Sequence, residues 1–176
     1  MPEFAYAHVA PEHYGMLGAW LTRPHMREWW GEPEVELGYI RDMVEGRDTT
    51  RPFIFSVDDR PAGYIQYWFV GDHQNQTWIA DNPWLAELPS ETIGVDLSIG
   101  EPDLLSRGIG SAVLSDFTRR LVAQGYRTII IDPDPGNARA VRAYEKAGYR
   151  PVPELFGRTG DTLIMQFDVK ENEAKQ

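Results

Sequence analysis

Apolar positions along this chain recur with two periods, and each change of period marks an element. EFAYAHV, residues 3–9, alternates, which is the period of a strand. In PEHYGMLGAWLT (11–22) the apolar residues Tyr14, Leu17 and Leu21 fall three and four apart, the spacing of one helix face, with Pro11 at the start. VELGYIRDMVEG (35–46) predicts a second helix. RPFIFSV (51–57) and AGYIQYWFV (62–70) predict two strands, and the Asp-Asp-Arg-Pro turn between them predicts a hairpin. Both periods vanish over residues 71–91, which are polar yet hold Trp78 and Trp84. So long a connection is functional or disordered. TIGVDLSIG (92–100) predicts a strand. Across 108–124, Ile109, Val113, Phe117 and Leu121 recur every four residues, and Gly125 ends that helix. TIIIDP (128–133) has the apolar centre of a strand covered on both faces. Asn137 caps a helix over ARAVRAYEKAG that Gly148 stops; YRPVPELF and TLIMQFDV give the last two strands.

The later half therefore reads β-α-β-α-β-β, an α/β arrangement. No repeat or linker divides the chain, and 176 residues allow one sizeable core. The expectation is a single domain over 1–170 with a polar tail, 171–176, that frays. The sequence has no cysteine, which excludes a thiolate nucleophile or metal ligand and fits a reducing compartment. The first residues lack a basic start followed by an apolar run, and no apolar stretch reaches the ~20 residues of a membrane helix. The expected location is the cytoplasm. A net charge of −10 repels nucleic acid and anionic membranes and draws cations; neither nucleic acid nor membrane is an expected partner. His8, His13, His25 and His73 show no metal-ligand spacing. DPDPGNARAVRA begins like a calcium loop, but Gly136 and Ala143 stand at its fifth and twelfth positions. Ser98 lacks the glycines of a nucleophile turn. No metal site is expected.

Gly108 and Gly110 open a helix although glycine is a poor helix former. A dinucleotide-binding turn needs a third glycine where Val113 stands, and a P-loop needs Gly-Lys-Ser/Thr. Two readings stay open: a structural turn, or a cradle whose bare backbone N–H groups, helix N-terminus and Arg107 suit a diphosphate.

LLSRGIG (104–110) and DPDPGNARAVRAYEKAGYRPV together resemble the GNAT acyltransferase superfamily. Its fingerprint pairs an Arg/Gln-x-x-Gly-x-Gly/Ala turn with an Asn-x-x-Ala-x-x-x-Tyr-x-x-x-Gly-Phe/Tyr helix. Asn137, Ala140, Tyr144, Gly148 and Tyr149 complete the second part, while Leu105 departs from the first. HMREWWGEPE, PAGYIQYW, GVDLS and RAYEKAGY narrow the resemblance to the aminoglycoside 6′-N-acetyltransferases, over roughly residues 8 to 169. The resemblance implies a GNAT fold, a mixed central sheet flanked by helices. It implies acetyl-CoA as donor, bound by Leu97, Ile99, Arg107, Gly108, Ile109, Gly110, Ser111, Asn137 and Tyr144. The acceptor it implies is the primary amine of a small polycation, foremost the 6′-amine of an aminoglycoside.

Acyl transfer to an amine needs a group that takes the ammonium proton and one that protonates the leaving thiolate. Asp96 matches the family's catalytic carboxylate, against the plain reading of a solvent-facing Asp on an alternating strand. Tyr144 matches the acid, against that of an amphipathic core tyrosine. Asp132 matches a carboxylate that helps bind the amino sugar; as a residue before Pro133 it equally suits a turn. Asn137 would bond the donor's pantetheine arm, but an N-cap needs no ligand. Acids and tryptophans cluster in two further segments. Trp29 and Trp30 lie among Glu28, Glu32 and Glu34; Trp78 and Trp84 lie among Asp72, Asp81, Glu87 and Glu91. Aromatic faces with carboxylates suit an aminated sugar, so Trp29, Trp30, Glu87, Glu91, Asp96 and Asp132 are the acceptor-binding candidates. Rival readings are an acetyltransferase for a polyamine, a siderophore hydroxylamine or a peptide N-terminus, and a non-catalytic acyl-CoA-binding module. Monomer and homodimer are both compatible with the sequence.

Overall fold

The computed structural model describes residues 1–174. In chain order the elements are β1 (Phe4–His8), α1 (Tyr14–Leu21), α2 (Pro24–Arg27), α3 (Pro33–Val44), β2 (Arg51–Val57), β3 (Arg60–Phe69), α4 (Gln76–Asp81), β4 (Ile93–Ile99), α5 (Ile109–Ala123), β5 (Ile129–Ile131), α6 (Ala138–Lys146), β6 (Tyr149–Pro151), β7 (Met165–Phe167) and α7 (Val169–Glu173). The strands hydrogen-bond in the order β1-β2-β3-β4-β5-β7-β6, with β4–β5 parallel and β1–β2, β2–β3, β5–β7 and β6–β7 antiparallel. This is the mixed sheet with helices that the sequence predicts. The predicted tail begins inside α7; its last residues, 175 and 176, lie outside the described chain.

The chain forms two compact units. The first comprises Met1–Tyr67 and Leu97–Ile109. Its hairpin turns on Asp58 and Asp59, both left-handed at φ 49° and 64°, the pair of values a two-residue turn between twisted strands requires. The Asp58 carboxylate accepts the Glu3 N–H at 2.9 Å, which ties the start of β1 to the turn. Leu17, Trp20 and Leu21 of α1, Met26 of α2, and Leu37 and Ile40 of α3 bury against Ile54 and Tyr64.

The second unit comprises Trp68–Asp96 and the chain from Gly110 onward. Val113, Leu114, Phe117 and Leu121 of α5 are buried, which is the face their four-residue spacing predicts. All three residues of β5 are buried. Residues 71–91, read as functional or disordered, are ordered. They form α4 and a 3₁₀ turn, Pro83–Glu87, whose Trp84 and Leu85 bury with Val70, Leu88, Ile130, Leu155 and Ile164. The last two strands are shorter than predicted. Pro151 and Pro153 withhold ladder donors around β6, and a 3₁₀ turn, Pro153–Leu155, follows at once.

Among the described residues no helix is long and apolar enough to cross a membrane. None of the His, Cys, Asp and Glu side chains described are grouped to hold a metal.

Candidate active site

β4 and β5 pair in parallel with Gly94 opposite Ile130 and Val95 opposite Ile131. Asp96 and Asp132 each follow by one residue, so the register sets their carboxyl groups side by side, and the two are hydrogen-bonded. Two ionised carboxylates hold no donor, so this bond requires a shared proton. Burial, then the Asp96 charge and the Asp96 hydrogen bond, push the Asp132 carboxyl well above the ordinary Asp value. The pair thus carries one negative charge and titrates as a unit.

Tyr144 approaches from α6. That helix begins where the Asn137 side chain accepts the Ala140 N–H at 3.2 Å, while Asp134 accepts the Gly136 N–H at 2.7 Å just before it. Tyr144 is the buried residue of α6. Burial first, then the charges of Asp96 and Asp132, raise its hydroxyl above the ordinary tyrosine value, so it keeps its proton across the neutral range. Tyr149, behind it in the sequence pattern, is fully buried, and its hydroxyl is bonded to Thr118 at 2.7 Å.

Beside Asp132 opens a cavity of about 220 Å³, walled by Trp68, Trp78, Trp84 and Leu85 and edged by His73 and Asn82. Each wall has a cause in the sequence. Trp68 lies over Gly94, where a Cβ would come within 2.2 Å of the indole; only glycine leaves that room. The His73 Nδ1 is 2.9 Å from the Phe69 carbonyl. Its ring packs edge-on to Trp68 at 5.1 Å and to Trp78 at 4.8 Å. Asn75 caps α4 by accepting the Trp78 N–H at 3.2 Å. The Gln74 amide donates to the carbonyls of Leu85 and Leu88 at 2.9 and 2.8 Å, which holds Trp84 and Leu85 in place.

The turn before α5 has its own construction. Ser106 and Gly108 are left-handed, at φ 59° and 76°. A Cβ at Gly108 would meet nothing within 4 Å, so the backbone angle, not crowding, calls for glycine there. Beyond it α5 begins at Ile109. Arg107, just before Gly108, is exposed. Within the first unit, the segment leading to the turn is pinned. Glu101 accepts from Trp20 Nε1 at 3.0 Å and Arg23 at 3.1 Å, and Arg60 reaches both Glu101 and Asp103. The Trp20 bond, followed by the two arginines, holds the Glu101 carboxyl below the ordinary Glu value.

The structure brings Asp96, Asp132 and Tyr144 together, and it puts Trp78 and Trp84 on one cavity with Asp132. Arg107, Gly108, Ile109, Gly110 and Ser111 run through the turn into α5; Leu97 and Ile99 lie half-buried on β4. Trp29 and Trp30 belong to the first unit, where Trp30 packs edge-on against Tyr64 at 5.7 Å. Glu87 forms an ion pair with Arg158, and Glu91 is exposed. Trp68, His73, Asn82 and Leu85 were not among the sequence candidates. Trp68 was hidden as one more apolar strand residue, and His73 was weighed only as a metal ligand. The signal that could have found Trp68 is Gly94 inside a strand, a sign of close approach.

With this geometry in hand, the comparisons with known proteins are specific. Residues 10–156 match the family described as acetyltransferase (GNAT) domain. The chain belongs to that family and is an acetyltransferase with acetyl-CoA as donor. It is 31% identical over 158 residues to aminoglycoside N(6′)-acetyltransferase type 1 of Klebsiella pneumoniae, covering 85% of this chain and 75% of that protein. It is 27% identical over 155 residues to N(6)-hydroxylysine O-acetyltransferase of Escherichia coli, covering 83% of this chain and 46% of that one. The structure of AAC(6′)-Ib in complex with ribostamycin and coenzyme A superposes with a TM-score of 0.80 at 25% identity, over 99% of this chain and 98% of that one.

Proposed function

We propose that this protein acetylates the 6′-amine of an aminoglycoside, with Asp96 as base, Tyr144 as acid and the tryptophan-walled cavity as acceptor pocket. The observation that carries the reading is the Asp96–Asp132 pair at the edge of that cavity. An ammonium is unreactive until it loses a proton. The ionised Asp96 holds it and accepts that proton, directly or through a water. Asp132, already protonated, offers an acceptor oxygen to the amine and limits the local charge to one. The indole faces receive the apolar face of a sugar ring and add cation–π attraction to a second ammonium. Acetyl-CoA supplies the thioester carbonyl. Tyr144 keeps a proton on its hydroxyl for the departing sulfur. The turn at Arg107 to Ser111 suits the donor's diphosphate, and Asn137 lies at the capped start of α6, its side chain already used by the helix. The proposed location is the cytoplasm, where a CoA thioester is at hand.

The test is turnover with acetyl-CoA against kanamycin, spermidine, N6-hydroxylysine and a peptide N-terminus. Kanamycin should give the highest kcat/KM, with acetyl found on its 6′-nitrogen. Asp96→Asn should then lower kcat by about 10²–10⁴ and leave acetyl-CoA affinity near the parent's. A preference for the hydroxylamine or the polyamine would reassign the acceptor, and parental turnover by Asp96→Asn would remove Asp96 from the chemistry.

A further inference from the structure

The cavity's one imidazole has a lone pair to offer. His73 Nδ1 is 2.9 Å from the carbonyl of Phe69. A carbonyl oxygen only accepts, so Nδ1 carries the hydrogen, and in the neutral ring Nε2 is left as an acceptor. No second hydrogen bond is made by this ring among the described residues. The ring is also held still. It is anchored at Nδ1 and wedged edge-on between Trp68, at 5.1 Å, and Trp78, at 4.8 Å. A fixed acceptor of this kind costs little ordering entropy when a donor arrives.

We propose that His73 Nε2 accepts a hydrogen bond from a ring hydroxyl or ammonium of the bound acceptor, making His73 a specificity-determining residue of the pocket. The other polar groups at the cavity point to the same role. Asp132 shares its proton with Asp96 and is engaged with the reacting amine, and Asn82 is the remaining polar side chain on the lining. The walls are indoles, whose faces attract cations but accept no strong hydrogen bond. An aminated sugar presents donors at fixed ring positions, which a rigid lone pair can register. A flexible polyamine has nothing there to fix. The inference rests on the acceptor pocket of the proposed function and goes beyond it by naming the atom that reads the sugar.

The experiment begins with the parent enzyme at pH 8, binding and acetylating kanamycin. His73→Phe keeps a ring between the two indoles and deletes Nε2. It should raise the kanamycin Kd by calorimetry, and its KM, by about tenfold, as expected for one hydrogen bond with a charged partner. The KM for acetyl-CoA should stay within about twofold, a split that loss of general integrity does not produce. Unchanged kanamycin Kd would overturn the inference. So would tighter binding, which would mean the ring acts as a repelling cation. Should His73→Phe fail to fold, ¹⁵N spectra of the parent decide. The Nε2 resonance must have the shift of an unprotonated nitrogen and move on kanamycin addition, and a resonance that stays put refutes the role. A parent that neither binds nor acetylates kanamycin fails the acceptor reading itself; a working parent with an indifferent His73→Phe fails this inference alone.

Discussion

Asp132→Asn keeps the shape of the side chain, can donate to Asp96, and removes the proton that the pair must share. The magnitude follows from the register of β4 and β5. If both carboxylates ionised at ~4 Å separation they would repel by about 4 kcal/mol at an effective dielectric of about 20. The folded chain avoids that by keeping Asp132 protonated. In the unfolded chain Asp132 ionises near the ordinary value of about 3.9. Its folded value is raised, so between the two the folded state binds more protons, and stability falls by up to ~1.4 kcal/mol per pH unit as pH rises. Below about pH 4 both states are protonated and the term is absent. It develops as pH rises through that window and is fully present above the folded value. Asp132→Asn carries no such titration. Because Asp132 is partly open to solvent, the recoverable amount is set at about 1–2 kcal/mol, less than the bare repulsion. For a chain of this length that is a melting-temperature gain of roughly 3–6 °C at pH 8, nearly gone at pH 4. Acceptor turnover should fall in the same variant. The assay is thermal unfolding of parent and variant from pH 4 to pH 9. A difference that does not widen with pH, or a variant less stable than the parent at pH 8, would refute a protonated Asp132.

Three further outcomes follow from the same geometry. Gly110→Asp puts a negative side chain in the first turn of α5 and should weaken acetyl-CoA binding at least tenfold by calorimetry; undiminished affinity would move the donor site elsewhere. Glu101→Ala deprives Trp20 Nε1 and Arg23 of their partner and should raise the acetyl-CoA KM several-fold with little change for kanamycin. The same variant should also flatten the acid limb of thermal stability, since a carboxyl held below its ordinary value stabilises above that value and loses its contribution as pH falls through the lowered one. Arg158→Ala frees Glu87 and should lower the kanamycin KM at low salt if Glu87 meets the acceptor; an unchanged KM would take Glu87 out of the pocket.

What was legible in the sequence was whatever neighbours along the chain decide. β2 runs over the residues its pattern predicted, 51–57, because a strand joined to its neighbour by a two-residue turn is bounded by that turn in the sequence itself. α5 and α6 were marked by spacing, by Gly125 and by the Asn137 cap. α2 was missed: four residues hold too few apolar positions to show a period. The ends of β7 were misjudged because TLIMQFDV is apolar enough for eight residues of strand, yet only Met165–Phe167 pair as strand, with Leu163 and Ile164 making single backbone bonds to Pro133 and Val152. In the site, Asp96 and Asp132 were each visible, but their shared proton was not. It depends on β4 and β5 pairing in parallel at one register, which no local pattern encodes. Glu87 was named as an acceptor-binding candidate without sight of its ion pair for the same reason: Arg158, its partner, lies 71 residues away.

The net charge of −10 invites the idea that acidity itself binds a polycation, and the structure divides that charge by what it can do. Asp42 and Glu45 hold Arg47, Asp103 and Glu101 hold Arg60, and Asp116 holds Arg120. Exposed pairs of this kind contribute about 0–1 kcal/mol and are screened by salt. They can steer an approaching cation, but the Debye length of ~8 Å at physiological ionic strength ends their reach at short range. Inside the site the balance reverses. Asp96 and Asp132 together carry one charge, not two, so they match one ammonium. Once that nitrogen becomes an amide, no cation is left beside the pair to hold the product there. On the proposed reading, selection then rests on the indole walls and the His73 lone pair, which act inside the cavity, where salt screens less than at the surface. Raising the ionic strength should therefore slow association of the acceptor more than it shortens its residence.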